Sequence, residues 1–340
     1  MGILDTVRLT EEQGRVVLFL RRLALWTSLL LCAVVSLCHV LQPDALAALT
    51  LLPPPGWAVS GLALLLVGAW KPTLRLSLLS LAAWLAFMAL IMEEPRSLLR
   101  LGAWPIPEWE RARAVGKGLR VISLSCAGGS VDAAAETASL QPDLLLLQES
   151  PSCEGLERLA SRLFGADGSV LCGIGASIVA RGRILSGEIP EPLGQSYAQA
   201  RVRLRGGLEF EAVSLHLGPP LSWHGLWSAG NWRTQAEHRR ARRERLKEMA
   251  RGLESSAPLI VGGDFNAPGN DALLRVLKPR LRDAFREGGR GWGKTATNDM
   301  PLFRLDQVWV SPHWRAASVQ ALRTHHSDHR MVVCDLMAGP

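Results

Sequence analysis

The sequence predicts a layered α+β domain with a two-sheet core, preceded by about three membrane-spanning helices. Two observations support this fold class. Long apolar runs occupy the first quarter of the 340-residue chain, whereas in the rest short apolar runs alternate with helical segments and end in polar residues. Alternating strands and helices around an apolar interior are typical of layered domains. A chain of this length has room for roughly two domains.

Three apolar segments are candidates for crossing a bilayer. Residues 23–41 contain no charged residue and are long enough to span. Pro53, Pro54 and Pro55 cannot continue a helix and mark the entry to residues 56–70, which are near the lower length limit. Residues 76–92 form the third segment. Because apolar segments continue this far, a cleavable signal peptide is a poor interpretation.

Basic residues in the short flanks predict the orientation. Four arginines lie within residues 1–22, none lies between the first two spans, and Lys71 and Arg75 lie between the second and third. Residues 1–22 are therefore predicted to be cytoplasmic, and everything after Met92 lies outside the cytoplasmic membrane. If residues 56–70 enter the membrane without crossing it, the C-terminal domain lies in the cytoplasm instead.

Residues 93–118 are predicted to be a juxtamembrane linker. Arginines accompany Trp104 and Trp109 there, a composition that suits a tether at the level of the lipid headgroups. A loosely structured spacer explains the same residues equally well.

The C-terminal domain, residues 119–340, has apolar strands whose ends carry polar side chains. The predicted strands are residues 119–123, 144–147, 176–180, 200–204, 210–217, 258–261, 304–310 and 331–336. The predicted helices are residues 131–140, 156–164, 234–253 and 272–277. The polar residues at strand ends are Ser125, Glu149, His216, Asp264, Asn266, Asp306, Asp328 and His329. Singly, most such residues are exposed or structural.

The stretch PLIVGGDFNAP, residues 258–268, is the most informative of these strand ends. Asp264 and Asn266 lie two residues apart and share one face of an extended chain. A carboxylate beside an amide can take a proton from a water molecule and hold that water in line. An Asx-type turn that closes a strand explains the same residues, so the interpretation depends on the other motifs.

The net charge and the cysteine content restrict the possible functions of the protein only partly. The net charge of +7 suggests anionic surroundings such as a membrane surface, nucleic acid or a phosphorylated substrate. The six cysteines show no metal-knuckle spacing. Cys153 and Cys172 flank one predicted helix and could pair in an oxidising compartment. The basic helix at residues 234–253 is most simply a solvated face with intrahelical ion pairs, and contact with anionic lipid or a polyanion is the alternative.

Five motifs in a fixed order resemble a known family. They are QES, SLHL, GGDFNAP, RLDQVWVS and SDHR, within about residues 119–336. Together they resemble the endonuclease/exonuclease/phosphatase superfamily, which includes DNase-type nucleases, neutral sphingomyelinases and inositol-phosphate phosphatases. The resemblance implies a four-layered α/β/β/α sandwich, two β-sheets flanked by helices, and metal-dependent phosphoester hydrolysis.

The resemblance also implies residue roles. Glu149 corresponds to the metal-binding glutamate, and Asp328 to a carboxylate near the metal and the leaving group. Asp264 corresponds to the aspartate that aligns or deprotonates the attacking water, and Asn266 positions that water or the phosphate. Their density suits a hard cation, Mg²⁺ or alternatively Mn²⁺.

The histidines complete the predicted site. His329 corresponds to the phosphate-contacting histidine, oriented by Asp306, and His216 to a second histidine found in many members. One position departs from the family, where asparagine is usual and this chain has Ser125. Serine lacks the separate carbonyl acceptor and amide donor of asparagine. Ser125 is therefore expected to affect the affinity for the metal.

The predicted function is a membrane-anchored, metal-dependent phosphoesterase, a phosphodiesterase rather than a monoesterase, that directs water in line at a phosphoester. Its predicted partners are the lipid bilayer and a phosphoester substrate, which is a lipid headgroup, a phosphorylated small molecule or nucleic acid. No protein partner is inferred. The alternative is a catalytically weakened member that binds a phosphorylated ligand or a partner at the membrane.

Overall fold

The structure, a computed structural model, describes residues 3–100, 102, 104–190, 197–219, 228–253 and 257–339. The chain divides into two compact units, Met1–Pro95 and Arg96–Pro340.

The first unit consists of three helices: α1 (Ile3–Leu41), α2 (Pro54–Gly68) and α3 (Leu74–Ile91). Helix α1 begins at Ile3, so the predicted N-terminal segment continues into the first apolar segment without a break. Two segments, Gln13–Leu41 and Lys71–Ile91, are long and apolar enough to cross a membrane. Helix α2 is apolar but has only 15 residues. The described residues thus provide two candidate spans, not clearly three.

These three helices bury polar as well as apolar groups at their contacts and expose many large apolar side chains. Ser28 donates a hydrogen bond to the Gly61 carbonyl oxygen at 2.8 Å and lies 3.0 Å from the Ser80 hydroxyl, while the Trp84 indole nitrogen donates to Ser28 at 3.0 Å. Large apolar side chains face outward, for example Leu66, which is 73% exposed. This arrangement resembles helix packing in lipid, where small and polar residues lie at the helix contacts.

The second unit contains eleven strands and six helices among its described residues. The helices are α4 (Glu94–Leu99), which begins at the end of the first unit, α5 (Pro107–Ala114), α6 (Val131–Glu136), α7 (Cys153–Phe164), α8 (Ala229–Gly252) and α9 (Ala284–Gly288). The strands are β1 (Gly118–Ser125), β2 (Leu144–Gln148), β3 (Gly168–Leu171), β4 (Ala176–Glu188), β5 (Tyr197–Leu204), β6 (Glu209–His216), β7 (Leu259–Asp264), β8 (Arg282–Asp283), β9 (Asp306–Val310), β10 (Trp314–Leu322) and β11 (Met331–Ala338).

The strands form one mixed, curled sheet in the order β10-β11-β1-β2-β4-β5-β6-β7-β9-β8, with β3 paired to β4. Strand β4 has 13 residues. Its first part pairs with β2 and its second part with β5. The two sheets expected from the sequence are therefore two halves of a sheet that continues through β4.

Apolar side chains from both halves meet in one core. Leu146 of β2, Phe210 of β6 and Ile260 of β7 belong to the same buried cluster. Two further clusters lie under the helices, with Leu156 of α7 in one and Leu246 of α8 in the other. Helices therefore flank the sheet, and its halves bury apolar residues against each other.

The structure corrects the prediction for the tryptophans of residues 93–118. The Trp109 side chain is 2% exposed and its indole nitrogen donates to the Leu336 carbonyl oxygen at 3.1 Å. The Trp104 indole nitrogen donates to the Asp335 carboxylate at 3.0 Å. The Arg120 guanidinium lies 4.5 Å from the Trp109 ring centroid and 4.9 Å from that of Trp104. Both tryptophans therefore pack on the second unit, where they contact the Arg120 guanidinium and are not residues of a loosely structured spacer.

Candidate active site

The sheet order brings the predicted polar strand ends together. His216 at the end of β6 is paired in register with Asp264 at the end of β7. Asp264 is in turn paired with Asp306, the first residue of β9. Because these strands are neighbours, three residues far apart in sequence occupy adjacent positions at one sheet edge.

Asp264, Asp306 and His329 form the tightest group of the site. One potential ligand atom from each lies within 4.8 Å of those of the other two. His329 Nδ1 lies 2.7 Å from Asp306 Oδ2. The Asp306 side chain is fully buried, and its Oδ1 has no hydrogen-bond partner among the described residues. A buried carboxylate oxygen without a donor is costly unless a cation or proton compensates it.

Asn266 holds the Asp264 carboxylate in place. The Asn266 main-chain amide donates to Asp264 Oδ1 at 2.8 Å, and its side-chain amide donates to Asp264 Oδ2 at 3.1 Å. The same side-chain nitrogen donates to the Leu217 carbonyl oxygen at 2.7 Å. Asn266 has φ of 47°, in the left-handed region, which asparagine tolerates better than most residues. The Asx-type turn given as the alternative is therefore present, and Asp264 and Asn266 meet through this turn rather than along one face of an extended chain.

Glu149 approaches this group from β2. His216 Nε2 lies 4.0 Å from Glu149 Oε1 and 4.0 Å from Asp264 Oδ2, so the imidazole stands between the two carboxylates. The Gly128 amide donates to Glu149 Oε2 at 2.6 Å. Glu149 also has a positive φ, 43°. Such backbone strain persists where the surrounding structure enforces it, commonly at functional sites.

The pKa values at the site depart from their ordinary ranges. Burial raises the pKa of Asp264, and the nearby Asp306 carboxylate raises it further, to about 7. Burial lowers the pKa of His329, but the charge of Asp306 and its hydrogen bond outweigh burial and raise that pKa to about 10. Burial lowers the pKa of His216 more than Glu149 and Asp306 raise it. At neutral pH a protonated His329 therefore lies beside a carboxyl that can exchange a proton.

The donor set suits a divalent cation. Glu149, Asp264 and Asp306 supply carboxylate oxygens, which hard cations prefer, and no residue that the structure describes donates to the buried Asp306 Oδ1. Glu149, the predicted metal ligand, lies outside the tightest group and faces it across His216. Asp328, the second predicted ligand, is exposed and acts on the pKa of His329 through its charge.

Ser125 lies at the end of β1 and is 2% exposed. It is paired with Gln148, the residue before Glu149. The Ser327 hydroxyl donates to the Ser125 carbonyl oxygen at 2.6 Å and accepts from the His329 amide at 3.0 Å. The first strand is thereby linked to the segment that carries His329.

Several supporting residues were not foreseen from the sequence. The Thr295 hydroxyl accepts from the Asp306 amide at 3.1 Å, and the Arg242 guanidinium donates to the Asn266 carbonyl oxygen. Glu136 of α6 accepts hydrogen bonds from the amides of His325 and His326 at 2.8–2.9 Å. None of these residues belongs to one of the five motifs.

Comparisons with known proteins identify the family and the fold. A model of the endonuclease/exonuclease/phosphatase family matches residues 123–329. A solved endonuclease/exonuclease/phosphatase structure from Beutenbergia cavernae DSM 12333 aligns with a TM-score of 0.52 at 19% identity, covering 66% of this chain and 72% of that one. One from Bacteroides vulgatus aligns with a TM-score of 0.52 at 16% identity, covering 65% and 99%. At such identities the structural likeness supports the fold alone. No curated protein matches the sequence.

Proposed function

The chain belongs to the endonuclease/exonuclease/phosphatase family of phosphoester hydrolases, and on this premise we propose that it is a membrane-anchored, divalent-metal-dependent phosphodiesterase. The observation that carries the proposal is the convergence of Asp264, Asp306 and His329 within 4.8 Å, with Glu149 reached through His216. The proposed cation is Mg²⁺, with Mn²⁺ as the alternative.

In the proposed mechanism Asp264 prepares the attacking water. Its pKa of about 7 matches the requirement that a general base accept a proton near the working pH. The two hydrogen bonds from Asn266 fix the carboxylate, so that the water is held in one orientation. A bound cation would be held by Glu149 with the neighbouring carboxylates and would neutralise charge on the phosphoryl oxygens.

His329 is proposed to bind the phosphoryl group. It is a cation at neutral pH because its pKa is about 10, and Asp306 fixes its ring through Nδ1. Preorganised positive charge at the place where negative charge develops stabilises the transition state. His216 is proposed as a neutral donor between Glu149 and Asp264, and Asp328 as a carboxylate on the leaving-group side.

The membrane anchor is proposed from the first unit. Its helices enclose Ser28, Ser80 and Trp84 and expose leucines, the reverse of a soluble bundle. We propose that all three helices cross the bilayer, that residues 93–118 form the juxtamembrane part, and that residues 119–340 form the catalytic domain as the family's four-layered sandwich.

The proposed orientation places the catalytic domain outside the cytoplasmic membrane. Arg21 Nη1 donates to the Ala69 carbonyl oxygen at 2.9 Å, and its guanidinium lies 5.1 Å from the Trp70 ring centroid. Arg21 and Lys71 therefore share one end of the helix group, as the positive-inside rule expects of a cytoplasmic face. Protease digestion of intact cells tests this, since a catalytic domain protected until lysis contradicts the orientation.

A phosphodiester is the proposed substrate because phospholipid headgroups are the phosphoesters that a membrane-anchored enzyme meets most often. The detergent-solubilised full chain should be screened with sphingomyelin, phosphoinositides, sugar phosphates and nucleic acid. The class that is hydrolysed assigns the substrate, and exclusive phosphate release from monoesters contradicts the diester preference.

Hydrolysis of bis(4-nitrophenyl) phosphate tests the chemistry. We expect nitrophenol release that stops with EDTA, returns with Mg²⁺ or Mn²⁺, and is lost in Asp264→Ala. Asp132→Ala on α6 is the matched control, because Asp132 is exposed. If the folded wild-type chain binds phosphoesters but hydrolyses none, the chain is instead a binding module, an alternative favoured by Ser125.

A further inference from the structure

Cys153 and Cys172 are joined in a disulfide, and Cys153 follows Glu149 by four residues in the chain. Cys153 is the first residue of α7, and Cys172 directly follows β3. The other cysteines, Cys32, Cys38, Cys126 and Cys334, are free and buried. From the sequence, pairing of these two cysteines was only one possibility. In the fold, β3 pairs with β4 and packs against α7, which brings Cys172 to Cys153.

The disulfide lies at one end of the two segments that hold the Glu149 main chain. Glu149 leaves β2 and the chain reaches Cys153 four residues later. The Glu149 amide donates to the Gly175 carbonyl oxygen at 3.0 Å, and Gly175 follows Cys172 by three residues. One hydrogen bond at Glu149 itself and one covalent bond four residues after it therefore join the same two segments.

The second segment is itself fixed to the sheet. The Gly173 amide donates to the Ser177 hydroxyl at 3.1 Å, and that hydroxyl donates to the Gly173 carbonyl oxygen at 3.3 Å. Ser177 is fully buried in β4. The disulfide consequently ties the chain after Glu149 to a segment that is hydrogen-bonded to strand β4.

Glu149 needs such support. Its φ of 43° is one that a non-glycine residue keeps only where its surroundings impose it. Its side chain is 40% exposed, so packing holds it weakly, and the described contacts at its carboxylate are the Gly128 amide and the His216 ring. The direction of the Glu149 carboxylate thus depends on its main chain.

We propose that the Cys153–Cys172 disulfide is a positioning element for Glu149, which it holds in the conformation that binds the divalent cation. This inference rests on the proposed function, since it assigns Glu149 to cation binding. Loss of supporting contacts around a metal ligand typically weakens metal affinity by about 10- to 100-fold, and a change of that size is expected when the disulfide is opened.

A purely structural disulfide has a different effect. Closing a loop of this size stabilises the fold mainly by restricting the unfolded chain. Its removal would lower Tm while the folded molecules kept their cation affinity. Cation affinity of the folded protein therefore separates positioning from general stabilisation.

The test measures Mn²⁺ binding to the full chain in detergent, by the electron paramagnetic resonance signal of free Mn²⁺, at a temperature where circular dichroism shows every sample folded. Samples are the oxidised wild type, the wild type treated with tris(2-carboxyethyl)phosphine, and a Cys153→Ser/Cys172→Ser variant. We expect the two opened forms to bind Mn²⁺ about tenfold or more weakly. Hydrogen exchange at the Glu149 amide is expected to be faster in both.

Glu149→Gln provides the matched control. With the carboxylate gone, opening the disulfide should weaken Mn²⁺ binding no further, because interacting sites give non-additive effects. Unchanged Mn²⁺ affinity in the opened wild type, or an equal loss in the Glu149→Gln background, overturns the positioning role and leaves the proposed function intact. Absence of Mn²⁺ binding to the oxidised wild type overturns both.

Discussion

The Arg242 guanidinium donates a hydrogen bond from Nη1 to the main-chain carbonyl oxygen of Asn266. Arg242 lies on α8 and is 4% exposed. Its charge also lies close enough to Asp264 and Asp271 for those carboxylates to act on its pKa, which burial lowers overall. The buried Arg242 guanidinium on α8 thus supports the turn that presents Asp264 and Asn266.

Arg242→Met is expected to lower kcat by about 10- to 100-fold, because small displacements of a positioned catalytic group have effects of that size. Loss of the charged hydrogen bond should also destabilise the fold by about 1.5–3 kcal/mol. Steady-state kinetics with bis(4-nitrophenyl) phosphate and thermal unfolding measure the two effects. Arg245→Met on the exposed face of the same helix should stay within about 0.5 kcal/mol of wild type. A wild-type kcat in folded Arg242→Met contradicts the supporting role.

The sequence predicts the polar residues at the strand ends better than it predicts the buried residues that hold them in place. Buried strands such as β2 and β7 are apolar and end abruptly, so the positions of Glu149 and Asp264 follow from local pattern. Arg239 and Arg242 were expected on a solvated helix face, yet both are buried. Their partners, Asp271 and Asn266, come after an intervening strand, and no local spacing reveals such a pairing.

Other differences between the predicted and the observed structure also come from contacts between residues that are far apart in sequence. Strands β3, β8 and β10 were not predicted. Strand β3 is short and only half-buried, β8 has two residues, and β10 mixes polar and apolar residues without a continuous apolar run. Trp109 was assigned to a linker because its neighbours are charged, whereas its contacts come from β1 and β11. Tertiary packing overrides composition at these positions.

Trp109→Ala is expected to destabilise the second unit by about 3–5 kcal/mol, the usual effect of removing a buried aromatic side chain. The indole fills space against β1 and β11, and the Arg120 guanidinium stacks on it. Urea unfolding followed by circular dichroism measures the change. Val115→Ala is the control, because Val115 is 71% exposed and its truncation should be nearly neutral. Equal stability of the two variants means that residues 107–114 are a spacer after all.

His329 is expected to titrate near pH 10 in the cation-free chain and at a pH about 1 to 3 lower in Asp306→Asn, because an adjacent opposite charge raises a histidine pKa by about that much. The raised pKa means that the imidazolium stabilises the fold fully below the unfolded pKa of 6.5, and that this contribution disappears as the pH rises through about 10. Nuclear magnetic resonance of the histidine ring carbons measures the titration. An unchanged His329 pKa in Asp306→Asn contradicts the assigned ion pair.

Ser125→Asn is expected to lower the Mg²⁺ concentration needed for half-maximal activity, by about tenfold if the amide supports the cation as outer ligands commonly do. The substitution adds a carbonyl acceptor and an amide donor at a position paired with Gln148 and therefore next to Glu149. The strand should stay in place, because the Ser327 hydroxyl holds the Ser125 carbonyl oxygen.

Activity as a function of Mg²⁺ concentration, with Tm as a check on folding, gives the answer for Ser125→Asn. Ser139→Asn is the control, since it makes the same chemical change at an exposed position in the turn that follows α6. A superimposable Mg²⁺ curve for Ser125→Asn contradicts a role of this position in setting the metal affinity. Activity that appears only with asparagine makes the natural protein a binding module that lost hydrolysis at this strand end.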